Sequence, residues 1–251
     1  MLKLEKLSES HPYMSSLFIT ISLLFVLFFS GMISVLGNID NKITFFFGFL
    51  ILSIVLILII NKNKRWNYYG FFPLKVLNKK EKSIFLPLFI LGFMPLLAGI
   101  RPDLTFQDII YLLIYMAVVA FVEETIFRGI IVKILFKKGY MIAIIGSSLL
   151  FSLAHILNTL QTNNLKMIIV QILYAFIIGM VLSVLVIRTN NIIFPIIFHY
   201  INNIMTSLNP IGLNNTSTIV TYTMFFIAIL YLSYLLYSRK KSLIKVRSDI
   251  I

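Results

Sequence analysis

The sequence contains no cysteine. Disulfide bonds, thiolate catalysis and cysteine-ligated zinc or iron–sulfur sites are therefore excluded. Charged residues are also scarce, because they make up only 12% of the 251 residues and nine of them are acidic. An apolar fraction of 59% with so few charges is outside the usual composition of soluble domains. It predicts a polytopic membrane protein.

The chain also lacks internal repeats and long linkers, so it predicts a single integral membrane domain over residues 1–251. Uncharged runs long enough to cross a bilayer core of about 30 Å recur six times. They lie at about 17–36, 43–60, 83–100, 140–157, 167–187 and 218–237. The first run is longer than a signal-peptide core and has no small-x-small cleavage site, so we expect it to be a retained helix.

Two further segments, about 107–133 and 191–207, are equally apolar but are interrupted by polar residues. Counting them gives an all-α bundle of about eight transmembrane helices, with its catalytic core at about 107–207.

Basic residues are distributed unevenly around these helices. With the N-terminus in the cytoplasm, 18 of the 22 Lys and Arg residues fall on cytoplasmic segments, three fall outside and Arg128 falls within a helix. This asymmetry follows the positive-inside rule and predicts that both termini are cytoplasmic. The net charge of +13 lies in short loops beside apolar spans, so we expect anionic lipid head groups of the bilayer as partners and no nucleic acid.

Adjacent carboxylates, Glu123 and Glu124, interrupt one apolar segment and are followed by Arg128. Successive residues of a helix turn by about 100°, so the two carboxylates point in different directions. Glu124 and Arg128 are at i and i+4, in the orientation that favours an ion pair. Glu123 then has no local partner, which suits a general base. In a soluble protein this pattern would be an ordinary helix surface, but charges at membrane depth are functional candidates.

Two further polar patterns follow in later helices. Phe151 and His155 are at i and i+4, so the ring of Phe151 is placed to orient the imidazole, and His199 and Asn203 have the same spacing. Each pattern alone is often structural, since polar side chains hydrogen-bond between membrane helices. However, two of the three histidines and the adjacent carboxylates occur in three separate spans.

If these spans converge, Glu123 and His155 would activate water while His199 and Asn203 donate hydrogen bonds to an oxyanion, so that a peptide bond is hydrolysed. A metal alternative stays open, because Glu123, His155 and His199 are a common set of zinc ligands. The sequence has no His-Glu-x-x-His helix.

The loop from 61 to 82 is rich in basic and aromatic residues. It contains Trp66, Tyr68, Tyr69, Phe71 and Phe72. Aromatic residues of this kind usually anchor a loop at the head-group level, which is the interpretation we favour. Contact with a substrate near the membrane surface is the alternative.

These patterns resemble the CPBP family of CAAX proteases and bacteriocin-processing enzymes, also called the Abi family. The family pattern is Glu-Glu-x-x-x-Arg, then Phe-x-x-x-His, then His-x-x-x-Asn or Asp. It is matched by Glu123, Glu124, Arg128, Phe151, His155, His199 and Asn203, and Gly129 is also typical. The resemblance spans about 115–210. It implies an intramembrane endopeptidase in which the first Glu and the first His activate water and the later His and Asn hold the oxyanion.

The resemblance implies either a metalloprotease or a metal-independent glutamate protease, and the presence of Asn203 favours the latter. Eukaryotic members of the family act on prenylated CAAX proteins, whereas bacterial members are linked to bacteriocin maturation, immunity and peptide-signal processing. The Asn-, Lys- and Ile-rich composition indicates an AT-rich bacterium. The expected substrate is therefore a small secreted or membrane-inserted peptide.

Two other functions are compatible with the sequence. One is a non-catalytic membrane immunity protein or chaperone for a peptide. The other is a proton-coupled transporter, which we favour less because no paired, interrupted half-repeats are present. The side on which a cavity would open is also undecided, since Glu123 lies about 15 Å from Lys133 but His155 about 25 Å from Lys138 along their helices.

Overall fold

The computed structural model describes residues 9–156, 165–209 and 215–241, and within them the chain is helical with no strand. Eight helices run through these residues. They are α1 (Pro12–Gly37), α2 (Asn41–Lys62), α3 (Lys79–Ala98), α4 (Phe106–Phe136), α5 (Tyr140–Ala154), α6 (Leu165–Thr189), α7 (Ile193–Ser207) and α8 (Asn215–Lys241). The all-α polytopic fold expected from the sequence is confirmed.

Two helices differ from the sequence prediction in length. Six of the eight are long and apolar enough to cross a membrane, whereas α5 and α7 have 15 residues each. At 1.5 Å per residue these two are about 22 Å long and fall short of a bilayer core of about 30 Å. The run at 140–157 contains a helix that ends at Ala154, and residue 157 lies outside the described residues. Its C-cap is His155, so the end of this short helix positions a candidate site residue.

Neighbouring helices contact one another in a ring. In order around it they are α1, α2, α4, α7, α3, α8, α6 and α5, and α5 returns to α1. The C-terminal part of α4, from Thr125 to Phe136, also packs across the ring against α1, α5 and α6. Polar contacts reinforce this order at several points. Lys42 of α2 pairs with Asp108 of α4 at 2.9 Å. Tyr231 of α8 donates to the carbonyl of Ile84 in α3, and Arg188 of α6 donates to Ser238 of α8 at 3.0 Å.

The outer surface of the ring is apolar. Large side chains on it are strongly exposed, among them Phe18, Phe25, Leu58, Leu97 and Phe226. A soluble protein would not leave such a surface uncovered, whereas lipid tails cover it at no cost. Together with the long apolar helices, this surface makes the chain a multi-pass membrane protein.

Basic side chains gather at one end of the ring, which we call the basic face. Eleven described residues form it: Lys62, Lys64, Arg65, Lys75, Lys79, Lys80, Lys82, Lys133, Lys137, Lys138 and Arg188. At the opposite end the described basic side chains are Lys42 and Arg101. Lys166 and the basic residues of both termini, which entered the orientation prediction, lie outside the residues whose side chains are described.

The aromatic loop between α2 and α3 lies across the basic face. Its five aromatic side chains are half-buried rather than laid out on the surface. The backbone N–H of Ile192 donates to the carbonyl of Gly70 at 3.0 Å, and Asn191 donates to the carbonyl of Phe72 at 2.8 Å. The ring of Phe71 meets that of Phe121 at 5.9 Å. The loop therefore packs against the side of α4 and the start of α7.

Candidate active site

Helix α4 changes its winding at the paired carboxylates. It is α-helical from Phe106 to Glu124, π-helical from Thr125 to Ile131 and α-helical again to Phe136. Wide π turns inside α-helices occur often at functional sites. Nothing in the local sequence indicates this turn, so it was not predicted.

The predicted ion pair is present within this π segment. Arg128 Nη1 donates to Glu124 Oε1 at 2.8 Å, and both side chains are 0% exposed. The same carboxylate oxygen accepts a second hydrogen bond, from His199 Nδ1 of α7 at 2.8 Å. Glu124 thus joins its own helix to α7, which the local spacing could not reveal because the partner is 75 residues away.

Glu123 points away from this buried pair, as the helical rotation predicts. Its carboxylate lies 3.6 Å from His199 Nε2, and its side chain is 13% exposed. The carboxylate that the sequence left without a local partner therefore has a long-range one. His199 lies between the two carboxylates, with one ring nitrogen facing each.

Phe151 of α5 contacts three of the polar groups. Its ring meets that of His155 at 4.7 Å and that of His199 at 5.8 Å, both edge to face. The guanidinium of Arg128 lies over the ring face at 4.0 Å, which is a close cation–π contact. The sequence predicted only the contact with His155. Phe151 therefore packs against both histidines and against the cation of the buried ion pair.

His155 has a defined hydrogen-bond arrangement. Its Nδ1 lies 2.9 Å from the carbonyl oxygen of Phe151. A carbonyl only accepts hydrogen bonds, so this contact assigns a proton to Nδ1 and leaves Nε2 of the neutral ring as an acceptor. A histidine in this tautomer can accept a proton or hold a water molecule.

A cavity of about 700 Å³ occupies the interior of the ring and is lined by residues of all eight helices. Glu123, His155, His199 and Asn203 all line it. The structure therefore brings the four predicted catalytic residues to one cavity. The supporting residues lie behind its wall, except for Phe151, which also lines it.

Gly179 of α6 was missed by the sequence reasoning. A Cβ atom at this position would lie 3.1 Å from Cβ of Ser148 and 3.3 Å from Arg128 Nη2. The missing side chain leaves room for the guanidinium between α5 and α6. A glycine within an apolar run carries no signal of such a contact, because the contact depends on how three helices pack.

The metal alternative named Glu123, His155 and His199 as ligands. Among the described residues, no three His, Cys, Asp or Glu side chains are grouped closely enough to hold a metal ion. One nitrogen of His199 faces Glu124 and the other faces Glu123.

Comparison with known proteins adds one finding. Residues 105–205 match the family model described as type II CAAX prenyl endopeptidase Rce1-like. The chain matches no curated protein. The matched segment contains all seven residues of the predicted motif, so the resemblance seen in the sequence is confirmed. Over residues 105–205 the chain is therefore similar to the Rce1-like CAAX endopeptidases, in agreement with the CPBP pattern.

Proposed function

We propose that the chain is an intramembrane endopeptidase that cleaves a membrane-associated or secreted peptide with Glu123 as its general base. The observation that carries the proposal is the lining of a single cavity by Glu123, His155, His199 and Asn203. The family match supports peptidase activity, and the geometry supports the division of roles among these four residues.

Hydrolysis begins with a water molecule held by Glu123 and by Nε2 of His155. Glu123 takes a proton from this water while the oxygen of the water bonds to the peptide carbonyl carbon. The carbonyl oxygen becomes an oxyanion. Collapse of the intermediate breaks the C–N bond, and the proton held by Glu123 passes to the leaving amine.

The oxyanion requires hydrogen-bond donors in a site sheltered from bulk water. Asn203 supplies an amide N–H. Because Nδ1 of His199 donates to Glu124, its Nε2 carries a proton only when the ring is an imidazolium. In this proposal His199 Nε2 is the second donor to the oxyanion. Glu124 and Arg128 then act as positioning residues that hold His199 from behind the wall.

The proposal uses no resident metal. Its partners are a peptide or small protein substrate and the lipid bilayer, and it places the chain in a bacterial cell membrane. Bacteriocin processing, self-immunity and peptide-signal maturation are the processes in which such an enzyme would act.

The test is cleavage of a pool of membrane-associated peptides by purified protein in lipid vesicles. We expect Glu123→Gln to abolish cleavage and a chelator to leave it unchanged. The matched control is Glu81→Gln, which changes a half-buried glutamate outside the cavity lining and keeps a side chain able to cap α3. Loss of activity with chelator would contradict the metal-free mechanism.

Equal processing by wild type and Glu123→Gln, or none by either, would overturn the peptidase assignment. Binding of the peptides without cleavage would then favour an immunity protein or chaperone. Peptide- or substrate-dependent proton uptake into the vesicles would instead indicate a transporter.

A further inference from the structure

The cavity occupies one half of the ring. Among its lining residues, several come from helix ends opposite the basic face: Pro95 and Ala98 of α3, Thr206 and Ser207 of α7, and Ser217 and Thr218 of α8. None of the eleven residues of the basic face lines it. Glu123, His155 and His199 lie at its inner end, nearer the middle of the bundle.

The other half of the ring is closed by packing. At the basic face Ile192 and Asn191 are 0% exposed beneath the aromatic loop. Gly129 of α4 lies so close to this loop that a Cβ atom there would be 3.3 Å from the carbonyl oxygen of Tyr69. Below it, Phe85 and Phe194 stack with their ring centroids 4.3 Å apart. A peptide approaching from this face would have to displace the loop.

The cavity wall is suited to a polypeptide backbone. Its described lining contains neither Lys nor Arg, and Glu123 is the acidic residue in it. Two buried polar atoms on it, Asn202 Oδ1 and Tyr174 Oη, have no hydrogen-bond partner among the described residues. Buried polar atoms without partners cost free energy, and a rotation of either side chain into the cavity would pair it with the N–H or C=O groups of a bound peptide. An isoprenoid chain has no such groups.

We infer that the cavity admits its substrate from the end opposite the basic face. By the positive-inside rule the basic face is cytoplasmic, so the substrate is a polypeptide segment on the extracytoplasmic side of the membrane. This inference rests on the proposed function for its substrate. It separates the chain from enzymes that receive a prenylated C-terminus from the cytoplasm.

Single cysteines test the direction of access, because the natural chain has none. Thr218→Cys places a thiol at the cavity rim, and Lys75→Cys places one on the basic face. A membrane-impermeant maleimide is added to intact spheroplasts and, separately, to inverted vesicles. We expect Thr218→Cys to react in spheroplasts and Lys75→Cys to react in inverted vesicles only.

Labelling of Thr218→Cys in inverted vesicles alone would overturn the inference. So would failure to label it in either preparation when detergent-denatured protein reacts, because the rim would then not open to water. These outcomes do not depend on cleavage. If wild type cleaves no peptide, the proposed function fails while the labelling result still decides the side of access.

Two activity measurements sharpen the result. Each single-cysteine protein is compared with itself before and after labelling with a bulky maleimide, and we expect loss of cleavage for Thr218→Cys and no change for Lys75→Cys.

We further expect Asn202→Ala to raise KM by about tenfold with little change in kcat, since it removes a contact to the bound backbone. An unchanged KM would remove Asn202 from the substrate site, and inhibition through Lys75→Cys would place the entrance at the basic face.

Discussion

The two adjacent glutamates of α4 lie in opposite environments. Glu124 is fully buried behind the cavity wall and is held by Arg128 and His199, whereas Glu123 faces the cavity and has His199 as a neighbour at 3.6 Å. One residue along the helix, a rotation of about 100°, separates the two environments. The chain thus places a charge that fixes geometry directly beside a charge that is free to react.

The buried region consists of Glu124, Arg128 and the contact that Glu124 makes with His199. Several of its polar atoms lack hydrogen bonds, so it contributes little to stability. Glu124 Oε2 and both Nε and Nη2 of Arg128 have no hydrogen-bond partner among the described residues. A buried ion pair of this kind often contributes little net stability, because removing two charges from water offsets their attraction. The ion pair instead serves to orient His199, because Glu124 accepts a hydrogen bond from its Nδ1. This view predicts different outcomes for substitutions in the two regions.

The largest effect is expected for Glu123→Gln. Removal of a general base typically lowers the rate by about 10²- to 10⁴-fold. Stability should change little, because this side chain has no short hydrogen bond and faces the cavity. The measurements are kcat for a cleaved peptide and the Tm of the protein in detergent. A large fall in Tm would show that Glu123 belongs to the structural region instead.

Substitution of Arg128 breaks the buried region. Arg128→Met leaves the charge of Glu124 buried and without its cation, so we expect a loss of about 3 to 5 kcal/mol in the free energy of unfolding. The double variant Glu124→Leu/Arg128→Met removes both charges and should recover part of that loss. It should remain inactive, because His199 Nδ1 then has no acceptor at position 124. Recovery of activity in the double variant would contradict the positioning role.

The sequence predicted the elements of both regions but not their assembly. The i, i+4 spacings placed Glu124 with Arg128 and Phe151 with His155, because contacts within one helix follow from its periodicity. The contact between Glu124 and His199 depends on how α4 and α7 pack, which no local pattern encodes. Hydropathy also did not distinguish α5 and α7 from the six longer spans, because it records apolar runs and not the residue at which a helix ends.

The aromatic loop shows the same limit. Its composition is typical of an interfacial anchor, and aromatic residues near a membrane surface do not reveal whether they face lipid or protein. The hydrogen bond from Ile192 to Gly70 and the close approach of Gly129 to Tyr69 place the loop against the helix ends. These are contacts between segments that lie far apart in the sequence.

A smaller effect is expected for Gly179→Ala, which adds a methyl group beside the buried guanidinium of Arg128. The added methyl group would crowd Ser148 and Arg128 Nη2, and overpacking of this kind costs about 1 to 3 kcal/mol. Gly31→Ala is the matched control, because a Cβ atom there meets Phe45 at an ordinary 3.7 Å. Tm and kcat should both fall for Gly179→Ala and stay near wild type for Gly31→Ala. Equal behaviour of the two would show that the guanidinium has room to move.

The smallest effect is expected for an exposed ion pair, which serves as the reference for the buried one. Lys137 Nζ donates to Glu9 Oε1 at 2.9 Å, and this hydrogen bond, together with the charge of Lys137, lowers the pKa of Glu9 below its ordinary value. A carboxyl whose pKa is lowered on folding adds stability above its unfolded pKa and loses it as the pH falls through the folded pKa. Glu9→Gln should therefore lower Tm slightly at pH 7 and not at all in strong acid, and added salt should reduce the difference.

Arg128→Met should keep its loss of stability at high salt, because the charge of its partner Glu124 is buried. If salt removed both deficits equally, the distinction between the buried and exposed pairs would not hold.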